Sequence, residues 1–182
     1  MRTVRLLTAA VGLAALGLTP VAAKHHGMHK AQAQSGRTVV DLAAGNPDFS
    51  TLVTAVKAAD LVPTLSGKGP FTVFAPTNAA FAKLPAGTVE TLVQPANKAQ
   101  LTGILTYHVV PGRYPASRIL SLIRQGGGSA ALTTVQGGTL TARLDGNAVV
   151  LTDAKGGTSR VTATDLNGSN GVIHVIDTVV MP

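Results

Sequence analysis

Five histidines supply the side chains that exchange protons near neutral pH, and three of them, His25, His26 and His29, crowd into one short polar stretch. If the chain is cut after Ala23, the new N-terminus reads Lys24-His25-His26. A free amine, two amide nitrogens and an imidazole in third place form a square plane suited to Cu(II) or Ni(II), with Lys24, His25 and His26 as the site. A cut after Ala22 leaves Ala23-Lys24-His25, again with histidine third, and Met28 and His29 add further ligands nearby. The plainer alternative is a solvated polar leader, a common feature of exported chains.

The two remaining histidines occur in apolar settings. His108 follows Leu101, Ile104 and Leu105 at helical spacing, and no Ser, Cys or acid stands at a defined distance to make it a general base. His174 alternates with Val172 and Ile176, the pattern of one strand face, so a hydrogen-bonded packing role is expected. Eight carboxylates are spread thinly, and Asp145, Asp153, Asp165 and Asp177 fall at turns or strand ends, without the pairing that glycoside hydrolysis needs. No phosphate-binding loop, dinucleotide fingerprint, G-x-S-x-G elbow or H-E-x-x-H motif occurs. The expectation is a protein that is not an enzyme and needs no cofactor.

The elements that carry these residues can be read from periodicity. Asn46-Pro47-Asp48 is a helix start, and Phe49, Leu52, Val53 and Val56 then recur at helical spacing up to Pro63. FTVF at 71–74 is a short strand stopped by Pro76, after which Thr77 caps a brief helix. Helical patterns follow at 88–93, at 97–108 and around Ile119 to Ile123, and the glycine run at 126–128 marks a loop. Beyond it the texture turns to Thr, Val and Gly. Residues 139–144 alternate, Asp145-Gly146-Asn147 turns, and AVVLT at 148–152 completes a hairpin. Residues 159–164 alternate with Val161 and Ala163 facing inward, and GVIHVIDTVV at 171–180 reads as a central strand covered on both faces. The layout predicts helices first and an antiparallel sheet after them, an α+β domain.

At the N-terminus, Arg2 and Arg5 precede an apolar run and the small-residue site Val21-Ala22-Ala23, the order of a secretory signal peptide over residues 1–23. Residues 24–37 then form a flexible His-rich leader, and one domain fills residues 38–182. The protein is expected to be exported to the periplasm, the cell surface or the medium, with no membrane insertion once the signal is removed. With no cysteine, neither a disulfide nor a lipid-bearing cysteine anchor is available, so aliphatic packing must hold the fold. The net charge of +7 includes two arginines in the signal and Lys24, Lys30 and Arg37 in the leader, which leaves +2 for the domain. With no basic stripe and 3% aromatic residues, nucleic acid is excluded as a partner.

Three segments carry a family resemblance: FTVFAPTNAAF at 71–81, Tyr107-His108 followed by VVPG, and GVIHVIDTVVMP at 171–182. In this order and spacing they resemble the fasciclin (FAS1) family. The resemblance implies a β-sandwich or wedge with a helical layer formed mainly by the N-terminal half. Asn78 stands where relatives often have Asp, which keeps a helix-starting residue. The region around Tyr-His has been linked to integrin recognition in fasciclin relatives. Thr77, Asn78, Tyr107 and His108 therefore carry over as structural supports of a binding surface. No Arg-Gly-Asp tripeptide is present. The function implied is adhesion to a cell-surface or matrix protein or glycan, with homo-oligomers adding avidity. The alternative is an envelope Cu/Ni-binding protein acting through the leader.

Overall fold

The computed structural model describes residues 36–182. Seven helices and seven strands lie among them, with two short 3₁₀ turns. Helix α1 (Val39–Ala44) opens with a capping box in which Thr38 accepts from the Asp41 amide and Asp41 accepts from that of Thr38. The Asn46-Pro47 start is realised as a 3₁₀ turn, Pro47–Phe49, that hands over to α2 (Ser50–Ala58). A separate helical turn, α3 (Val62–Leu65), takes Pro63 in its first turn, where a missing N–H costs nothing.

Strand β1 (Phe71–Pro76) is longer than the FTVF run, and runs on through Pro76 before Thr77 caps α4 (Asn78–Ala82). Helix α5 (Thr88–Leu92), helix α6 (Lys98–Tyr107), strand β2 (Val109–Pro111) and helix α7 (Ala116–Gln125) follow. The remaining strands are β3 (Ser129–Thr133), β4 (Thr139–Asp145), β5 (Ala148–Thr152), β6 (Thr158–Gly168) and β7 (Gly171–Ile176). The predicted hairpin is present as β4 and β5, with Asp145 opposite Ala148.

The strand order is β2-β1-β7-β6-β5-β4-β3. The expectation of an antiparallel sheet appended to helices needs correction here. β1, from the helical half, pairs in parallel with the last strand, Phe71 against Gly171 through Pro76 against Ile176. The other ladders are antiparallel. Strand β6 serves two neighbours in turn, pairing with β5 over Thr158–Arg160 and with β7 from Val161 to Gly168.

Beyond the change of partner, the β6–β7 ladder has two register shifts, one on each side of Ala163, and Asp165 takes a left-handed φ of 60° there. Ala163 is consequently exposed, contrary to the inward alternation expected of it, whereas Val161 is buried.

β1 and β7 have a core on each face. On one side Val73, Ala75, Ile173 and Val175 meet Val39, Phe49, Leu52, Val56, Leu101 and Leu105 from α1, α2, α6 and the 3₁₀ turn. On the other, Phe74 and Ile176 join Tyr107, Ile119 and Ile123, together with the inner faces of β3, β4 and β5. All six residues of β7 are buried, which accounts for its unbroken apolar run. Each fully buried Val or Ile contributes about 1.5–3 kcal/mol.

Candidate functional site

The Tyr-His pair lies where α6 ends. Apolar spacing along α6 brings Leu101 and Leu105 onto the core beside α1 and α2, and Tyr107, on the opposite side of the helix end, enters the other core. Tyr107 is fully buried and His108 is 2% exposed. The Tyr107 hydroxyl donates to the Thr139 carbonyl (2.8 Å) and accepts from the Ala154 amide (3.1 Å), joining the helix to β4 and to the turn after β5. Gly138 leaves room for the ring: a Cβ there would lie 2.5 Å from Tyr107 Cε2.

The His108 ring uses both nitrogens. Nδ1–H donates to the Ile104 carbonyl at 2.8 Å, and Nε2 accepts from the Val180 amide at 3.2 Å. These roles fix the Nδ1–H tautomer of a neutral ring. Burial pushes its pKa down to about 4, because a charged imidazole would lose its hydration there. With no lone pair or proton to spare at neutral pH, His108 joins the helix end to the C-terminal segment. Asp153 works beside it, accepting from the Met181, Lys155 and Gly157 amides.

His174 lies on the β7 face predicted for it, is 1% exposed, and stacks on Phe74 with ring centroids 5.6 Å apart. Its Nε2–H donates to the Tyr114 carbonyl at 2.7 Å, which ties the loop after β2 to the sheet. Nδ1 is buried without a partner among the described residues. Burial lowers this pKa as well.

Thr77 and Asn78 have separate duties. The Thr77 hydroxyl accepts from the Ala80 amide and so caps α4. Asn78, the first residue of α4, caps a different helix: its Oδ1 accepts from the Thr51 amide (3.0 Å) and its Nδ2 donates to the Pro47 carbonyl (2.9 Å). The structure does not bring Thr77 and Asn78 together with Tyr107 and His108 in one surface site. They are four positioning residues at two places.

The carboxylates serve turns and caps. Asp177 accepts from the Arg160 amide and the Thr178 hydroxyl, and Asp165 accepts from the Ala116 amide at the start of α7. No group of three or more His, Asp or Glu residues able to hold a metal ion occurs among the described residues. Lys24, His25 and His26 lie outside them. The apolar pocket between α1, α2 and the sheet has about 30 Å³ of free volume, the space of one water, too little for an organic ligand.

Sequence reasoning passed over Asn170. Its Oδ1 accepts from the Val39 amide, and its Nδ2 donates to the Leu65 and Gly67 carbonyls. One side chain thus holds the start of α1, the end of α3 and the turn into β7. Its place in a Gly-Ser-Asn-Gly run signals a turn but nothing of its distant partners.

The sequence model of the fasciclin domain matches residues 47–182. The chain belongs to the fasciclin domain family. Among similar proteins, protein sll1483 of Synechocystis is 50% identical over 153 residues, covering 84% of this chain and 78% of its own length. Immunogenic protein MPB70 of Mycobacterium bovis is 37% identical over 166 residues, covering 88% and 77%. A solved FAS1 domain pair from the insect cell adhesion molecule Fasciclin I shares the fold, with a TM-score of 0.71 at 20% identity. That match covers 81% of this chain and 52% of the insect chain. The fasciclin fold expected from the three motifs is therefore the fold observed. No helix among the described residues is long and apolar enough to cross a membrane.

Proposed function

We propose that this fasciclin-domain chain is an exported, non-catalytic attachment module that binds a cell-surface or matrix partner. The observation that carries the reading is the fate of its chemically capable side chains. Tyr107 and His108 are spent on backbone groups inside the core, and His174 is buried with them. The motif that marks the family thus builds a scaffold and leaves recognition to the surface around it. Kinship in fold to a protein described as a cell adhesion molecule agrees with this. The signal-like sequence of residues 1–23 agrees with export.

One domain offers one binding surface, so firm attachment calls for several copies acting together. The test is attachment of cells that lack the protein, measured on several surfaces beside cells in which it has been restored. Attachment should fall and then recover. Unchanged attachment on every surface overturns the reading.

A further inference from the structure

We propose that the cleft between the α3–β1 turn, the loop after β2 and the β6–β7 turn binds the charged groups of an acidic polysaccharide, a chain of sugars bearing carboxylates or sulfates. This rests on the attachment reading and gives it a ligand class. The cleft has about 470 Å³ of open volume, within the range of small-ligand sites. Lys68 and Arg113 stand in its walls, and no carboxylate is part of the lining.

Arg113 Nη2–H donates to Asn167 Oδ1 at 2.8 Å, which holds the guanidinium in place while its other N–H groups remain to donate. Lys68 has no ion-pair partner among the described residues. The nearby carboxylate of Asp41 is spent on the Thr38 amide and hydroxyl, at 2.9 and 2.8 Å.

The floor is built to stay in place. Asn170 Nδ2 donates to Leu65 O and Gly67 O, the Phe71 amide donates to Asn170 O, and the Gly112 amide donates to Pro70 O. A Cβ at Gly69 would overlap the Asn170 carbonyl oxygen, so the two turns lie against each other. A cleft fixed before binding loses little entropy in taking up a ligand.

Its chemistry selects among anions. Ser66 and Ser169 offer hydroxyls, and the Pro70 ring offers one apolar surface for the C–H face of a sugar. The lining has no aromatic platform for a nucleobase, which disfavours nucleic acid.

The test is calorimetric titration of the full processed chain with tetragalacturonate, a heparin-derived tetrasaccharide and neutral cellotetraose. One or both acidic probes should bind while cellotetraose does not; binding of tetragalacturonate shows that carboxylates suffice, and binding of the heparin fragment alone assigns sulfate as the group read. Lys68→Ala and Arg113→Gln should each weaken binding by about tenfold. Lys83→Ala, outside the cleft, should leave it unchanged. All three side-chain changes are at exposed positions, and a melting curve checks that each variant folds. Equal weakening by Lys83→Ala, binding of cellotetraose as tight as the acidic probes, or no binding of either acidic probe overturns the proposal.

Attachment assays with the same variants separate this proposal from the reading beneath it. If removal of the protein lowers attachment but Lys68→Ala/Arg113→Gln restores it fully, the cleft is not the adhesive site and the attachment reading stands. If removal changes nothing while acidic probes still bind at the cleft, the attachment reading fails and the site survives.

Discussion

Tyr107 and His108 are neighbours in sequence whose polar atoms serve opposite sides of the core, and that division sets what their substitutions should do. Tyr107→Phe keeps the ring but leaves the Thr139 carbonyl and the Ala154 amide without their partner, which should cost about 1–3 kcal/mol in urea denaturation. Gly138→Ala acts on the same contact from the other side, pressing a methyl group into the ring for roughly 1–3 kcal/mol. His108 predicts a pH dependence. Its folded pKa of about 4 lies below the ordinary 6.5, so between these values the unfolded chain holds the extra proton. Stability is therefore full above about pH 6.5 and falls as the pH drops toward 4, by up to roughly 3 kcal/mol from this residue. His174, lowered in the same direction, adds to the loss. Urea midpoints measured from pH 7 to pH 4 should fall steadily, and His108→Gln should flatten part of that slope.

Among the elements, those with a strong internal period were legible and those defined by a distant partner were not. Helix α6 and the β4–β5 hairpin match the spacing of Leu101, Leu105 and Leu140 closely. Helix α1 is six residues long, too short for periodicity to declare it, and the first helix start expected from the sequence was Asn46-Pro47-Asp48, beyond it. Helix α7 was expected as an apolar cluster, yet its cap could not be read at all. Pro115 provides no side-chain cap, and Asp165, on a bulged strand, supplies the acceptor. Asp165→Ala should lose that cap and strain a left-handed φ, costing about 2 kcal/mol in thermal unfolding, whereas Asp165→Asn should be much milder. Asn78 likewise caps a helix other than its own. Expecting only a local capping role for it placed the residue correctly and missed its partners, because hydrogen bonds across 27 and 31 residues leave no trace in local spacing.

For the whole molecule, the sequence conveyed the family and the mixed composition of helices and sheet through three motifs. It could not convey which strands meet. A continuous apolar run such as 171–180 announces burial on both faces without naming its neighbours, and here they are β1 and β6. The acidic-sugar cleft was illegible for the same reason, since Lys68, Arg113 and Ser169 come from three separate turns. The last residues belong to this architecture: Val179 and Val180 are buried, and the amides of Val180 and Met181 bind His108 and Asp153. Removing residues 179–182 should destabilise the domain by several kcal/mol, read as a large drop in melting temperature. The parallel pairing of β1 with β7 also sets an order in time. Phe71 must wait for Gly171, so both cores stay open along one edge until residues 171–176 have been made. Closing so long a loop is slow compared with forming a hairpin, and a chain emerging from the ribosome spends that interval unfinished.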